Sequence, residues 1–163
     1  MTHQRVMADV REPVTVFNVG VRINRIRSVR QWLPVVRAMG PMLRELFTHR
    51  ELGMLGARTF WSGRTIMVVS YWRSFEALEH YARADERTHR PAWTTFYRRS
   101  KAAPGAVGIF HETFVVAPGA IESLYVDVPA VGLGGAVGTI PVSGSLEGAR
   151  GRKDRTVEAR QAD

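Results

Sequence analysis

The 163-residue chain carries 23 Lys and Arg against 15 Asp and Glu, a formal charge of +8, and has no cysteine. That length suits one hydrophobic core, and the missing cysteine excludes disulfides, thiolate metal sites and a cysteine nucleophile. The basic residues are arginines spread along the whole chain, with Lys101 and Lys153 the two lysines, which argues for solvated surface and against a nucleic-acid partner.

No apolar run approaches the roughly 18 to 20 residues of a membrane span, and residues 1–12 lack the apolar stretch of a leader peptide. A cytoplasmic protein without a membrane partner is expected. The composition divides the chain into a flexible N-terminus (1–12), one domain (13–140) and a charged tail (141–163) expected to be disordered.

Residues 14–26 read as a strand, with Phe17, Val19, Val21 and Ile23 on one face and Asn18, Gly20, Arg22 and Asn24 on the other. Ser28 is a candidate cap for a helix through His49, in which Trp32, Val35, Val36, Met39, Leu43, Leu46 and Phe47 repeat at helical spacing. Gly40-Pro41 predicts a kink in it. Residues 52–61 and 65–72 form two strands joined by Ser62-Gly63-Arg64, a connection suited to a hairpin. The unbroken run Ile66-Met67-Val68-Val69 implies burial on both faces. Ser74 starts a second helix with a stripe of Phe75, Leu78 and Ala82. Thr88 and Pro91 open a further helical segment bearing Trp93, Phe96 and Tyr97. Residues 107–116 are the next strand, and 123–128 a shorter one.

This order, β-α-β-β-α-β with an extra C-terminal strand, predicts a ferredoxin-like α+β fold with both helices on one face of an antiparallel sheet. Apolar residues on the other face predict a cover, and a second subunit packed sheet to sheet supplies it, giving a homodimer. Residues 129–141 contain a Gly-x-Gly-x-x-x-Gly pattern, but Ile140-Pro141 follows where a nucleotide site needs a helix. A flexible apolar loop is expected there.

Two histidines are candidates for proton transfer. His89 stands at a helix start, where the dipole favours neutral imidazole; local capping is the alternative. His111 and Glu112 are neighbours on a strand and so face opposite sides. Pairing with Arg22, Arg58 or Tyr125 would account for them structurally, proton transfer in a pocket functionally. Trp32, Trp72, Tyr81 and Trp93 could line a site for a flat hydrophobic or aromatic molecule or form core.

The stretch Tyr71-Trp72-Arg73-Ser74-Phe75-Glu76-Ala77-Leu78-Glu79-His80-Tyr81-Ala82 resembles the strand-to-helix signature of antibiotic-biosynthesis-monooxygenase-like proteins in the dimeric α+β barrel superfamily. Residues 14–139 also resemble an uncharacterised bacterial monooxygenase family there, with Trp32-Leu33-Pro34, His89-Arg90-Pro91-Ala92-Trp93 and His111-Glu112-Thr113 among the similar segments. The resemblance implies a small oxygenase that works without a cofactor, His89 or His111 deprotonating a phenolic substrate and Asn18 and Trp72 orienting it, with Arg22 and Tyr125 also near the substrate. Similarity to haem-degrading members implies an alternative, a haem site built from Asn18, Tyr81 and His89 as axial ligand. Here the aromatic residue is Tyr where that family has Trp. A third expectation is a dimer that binds a hydrophobic ligand without catalysis.

Overall fold

A computed structural model describes residues 4–83, 101 and 104–161. The described elements are β1 (Arg5–Ala8), β2 (Val14–Ile23), α1 (Val29–Thr48), β3 (Met54–Ser62), β4 (Thr65–Trp72), α2 (Phe75–Arg83), β5 (Val107–Val116), β6 (Tyr125–Val126), α3 (Gly132–Val137), β7 (Thr139–Pro141) and α4 (Ala149–Gln161). The main sheet is open and antiparallel in the order β3-β4-β2-β5, the ferredoxin-like arrangement expected from the order of elements. The β3–β4 hairpin turns at Gly63, whose φ of 54° suits glycine.

Alternation along the strands creates two different faces. Phe17, Val19 and Val21 of β2, Val68, Ser70 and Trp72 of β4, and Ile109 and His111 of β5 point toward α1 and α2. Trp72 packs there with Leu46, Met54, Leu78 and Tyr81, and Val21, Val35 and Val107 form a second cluster further along the same layer. Trp72, at 2 % exposure, is among the largest fully buried side chains. Ser74 begins α2 as expected, its Oγ accepting from the Ala77 amide at 3.2 Å. Ser28 contributes no side-chain bond to the start of α1, and that helix is continuous through Pro34 and Pro41.

Three expectations about the ends of the chain are corrected. Residues 5–8 are not loose: β1 is the centre of a second, three-stranded sheet in the order β6-β1-β7. Met7 and Ala8 are each only 1 % exposed, so backbone pairing on both sides and the burial of these two side chains fix the segment. The glycine-rich stretch is a short helix and a strand. Gly134 permits it, since a side chain there would meet the Tyr125 ring at 2.8 Å. The tail carries α4, docked by Arg152, which is 6 % exposed. Its Nε donates to Glu122 Oε1 at 2.6 Å and its Nη1 to the carbonyls of Leu146 and Glu147. A few well-placed polar bonds hold a segment whose composition has little apolar surface to bury.

The second sheet and α3 lie over one end of the outer face of the main sheet, where Ala8, Val10, Val14 and Ile121 pack with Val16, Tyr71, Leu133 and Val137. The rest of that face stays bare in the single chain, with Phe60, Phe110 and Phe114 between 39 % and 50 % exposed.

Candidate functional site

Between the inner sheet face and the two helices lies a cavity of about 130 Å³. Its walls are almost wholly apolar. Met39 and Met42 enter from α1, Met54 from β3, and Leu78 and Tyr81 from α2. Thioethers adapt to irregular shapes at little cost, so three of them leave this wall deformable.

The polar groups at the cavity are few and mostly tied. Ser70 Oγ donates to the Phe17 carbonyl at 3.0 Å and accepts from Trp72 Nε1 at 2.9 Å. The Tyr81 hydroxyl lies 3.3 Å from Glu45 Oε2, and its ring stands 5.8 Å from that of Trp72. His111 reaches the cavity from β5 with its ring centroid 5.8 Å from Phe17. It is exposed at the rim. Among the described residues it has no hydrogen-bond partner, so its ring nitrogens are available to a bound molecule.

The residues expected at the site divide between the two faces. Trp72, Tyr81 and His111 come together. Asn18 does not: it pairs with Val69 and Glu112 across the strands and shares their outer face, as its parity opposite Phe17 requires. Its Oδ1 is buried there without a hydrogen-bond partner. Arg22 also lies off the cavity, bonded from Nη1 to Thr65 Oγ1 at 3.2 Å. Tyr125 belongs to the second sheet, its hydroxyl accepting from the Gly134 amide at 2.8 Å. Trp32 packs beside the Val21 cluster and donates to the Ile26 carbonyl at 2.9 Å, acting as core. Among the described residues, neither His111 nor Glu112 forms the expected pair with Arg22, Arg58 or Tyr125. His89 and Trp93 lie outside the described residues. Ser70 and the three methionines were not anticipated. Ser70 had a signal, a hydroxyl directly after the apolar run 66–69 on a central strand.

Among the described residues no group of three His, Asp or Glu side chains could hold a metal ion, and no helix is long and apolar enough to cross a membrane.

The fold is thus a ferredoxin-like α+β layer that closes an apolar cavity with an imidazole at its rim. Residues 14–133 match the model of the Monooxygenase af470-like family, and the chain belongs to that family. A curated relative, monooxygenase af470 of Aspergillus fumigatus, is 30 % identical over 138 residues, which is 76 % of this chain and 48 % of the relative. The chain thus spans about half the length of that relative. Among solved structures, the cofactor-independent oxygenase SnoaB of Streptomyces nogalater is similar at 11 % identity and a TM-score of 0.40, over 64 % of this chain and 93 % of SnoaB. A dimeric ferredoxin-like protein of unknown function from a Jannaschia species is similar at 16 % identity and a TM-score of 0.41, over 60 % of this chain and 97 % of that one.

Proposed function

We propose that this domain is a monooxygenase that binds a hydrophobic aromatic molecule between the main sheet and α1 and α2, with His111 as the base. The observation that carries the reading is an imidazole that, among the described residues, has no hydrogen-bond partner and stands at the rim of a largely apolar cavity. Such a wall gives a phenolic substrate a dry environment for its ring and one group able to take its proton. The phenolate then passes electrons to dioxygen, and the ring hydroperoxide that forms loses water to leave a quinone. One oxygen atom enters the product and the other leaves as water, so no external reductant is required. Trp72 and Tyr81 supply aromatic surface for the ring. Asn18, on the other face, has no part in this scheme.

The haem alternative has less support. Pockets for drug-sized ligands run to roughly 300–1,000 Å³, and a cavity of about 130 Å³ favours a single ring over a macrocycle. The bare outer strip of Phe60, Phe110 and Phe114 supports the homodimer, because an exposed apolar patch of this kind favours a second copy.

The test is oxygen uptake by the purified chain with a panel of phenols and hydroquinones, with His111→Ala alongside. A quinone product with loss of uptake in the variant supports the reading. Binding of the phenols without uptake, or equal uptake by His111→Ala, sinks it.

A further inference from the structure

The fold brings Arg64 of the β3–β4 turn beside the arginine-rich loop after β2 at one end of the main sheet. Three connections meet there. The Ile23 amide donates to the Arg64 carbonyl at 2.8 Å, and the Asn24 and Arg25 amides both donate to the Ala106 carbonyl at 3.1 Å. The loop after β2, the β3–β4 turn and the entry to β5 therefore form one surface. Arg22, Arg25, Arg27 and Arg64 are all exposed on it. No Asp or Glu occurs between Glu12 and Glu45, or between Glu51 and Glu76, so neither of the first two connections supplies a carboxylate to this end.

Large apolar side chains stand among these charges. Ile26 is 54 % exposed, Val29 43 % and Trp61 76 %. Trp61 is fixed rather than loose, its Nε1 donating to the Gly63 carbonyl at 2.6 Å, while the Ile26 carbonyl is held by the Trp32 indole. Single exposed apolar side chains are ordinary, but a Trp and two aliphatic side chains grouped among arginines are the pattern of an interaction surface.

We propose that this end of the domain docks on an anionic lipid bilayer, Trp61 at the headgroup level, Ile26 and Val29 in the acyl boundary and the arginines on the lipid phosphates. Tryptophan prefers that interface and arginine stems lie along apolar surface while the guanidinium stays wet. The aliphatic pair decides between polyanions. A nucleic acid would use aromatic platforms and leave Ile26 and Val29 in water, whereas a bilayer removes both from it. Anionic lipid also attracts each nearby arginine.

The test is co-sedimentation of the full chain with phosphatidylcholine vesicles, with and without phosphatidylserine. Binding is expected only with phosphatidylserine, weakening as salt rises. Reversal of two charges in Arg25→Glu/Arg27→Glu is expected to weaken partition by at least roughly tenfold, with the thermal midpoint unchanged. Vesicles should shift tryptophan emission to the blue in the parent and leave Trp61→Phe unshifted. Absence of binding to phosphatidylserine vesicles overturns the proposal, as does equal binding by the charge-reversed chain. Tighter binding to double-stranded DNA, without the Trp61 shift, also overturns it and makes the patch a nucleic-acid surface.

Discussion

The Trp72 indole donates to Ser70 Oγ at 2.9 Å, and both side chains are buried beneath α2, at 2 % and 4 % exposure. The serine links a large cavity wall to the backbone of β2 through its bond to the Phe17 carbonyl. A single hydroxyl thereby fixes the angle at which the indole faces the site.

Ser70→Ala leaves the indole N–H buried without its acceptor, which costs about 1–3 kcal/mol. Urea unfolding should show this as a lower midpoint with an unchanged slope. Adding Trp72→Phe removes the stranded donor, so the double variant should lose less than the sum of the two single losses.

The strand-helix order was legible from the alternation of residues 14–23, the unbroken apolar run before Trp72 and the helical spacing of residues 32–47, and the opposite faces of His111 and Glu112 followed from strand geometry. Asn18 was misplaced when resemblance was set above alternation: its partners Val69 and Glu112 lie on the face away from the cavity. The tail was misread for a different reason. Its anchor is Arg152, a charge held by a carboxylate and two carbonyls, and no apolar period announces a contact of that kind. The basic end of the sheet was hidden because sequence spacing does not report which loops meet.

Arg152→Met tests that anchor. It removes the ion pair to Glu122, whose side chain is 37 % exposed, so water can take up part of the released charge. With the two carbonyl bonds lost as well, the expected cost is about 1–3 kcal/mol. The loss should be local: limited proteolysis should cut α4 sooner than in the parent while the main sheet stays resistant.

Gly20 and Phe110 offer a separate test of association. A methyl group on Gly20 would come within 2.2 Å of Phe110 Cζ, so the ring must leave its seat on the sheet. Phe110 is 39 % exposed and can swing outward, which makes the folding cost of Gly20→Ala modest. The effect should fall on the proposed homodimer, the variant sedimenting as monomer at concentrations where that proposal expects the parent to be dimeric. Gly40→Ala, in open space within α1, should instead stabilise by roughly 0.5–1 kcal/mol.

Tyr71 couples the packing of the second layer to alkaline pH. Burial raises its pKa above the usual tyrosine value, the nearby Tyr125 adds to the rise and a backbone hydrogen bond from Leu133 opposes it. A raised folded-state pKa means that the native protein binds the proton more tightly than the unfolded chain. The contribution is present in full below the unfolded value, about pH 10, and is lost as pH climbs through the folded value. Stability measured by urea across that window should fall in the parent, and Tyr71→Phe should remove this component of the fall.

Ala38 separates a binding site from a packing defect. It lines the cavity from α1, and leucine there would place three more carbons in empty space on a residue type favoured in helices. If the space is a defect, filling it stabilises the fold and leaves oxygen uptake alone. If it is the substrate site, Ala38→Leu should raise the thermal midpoint while uptake with phenolic substrates collapses, the opposed changes expected where function requires an unfilled interior. Calorimetry and the oxygen electrode on the same preparation give both readouts, and a variant as active as the parent would move the chemistry elsewhere.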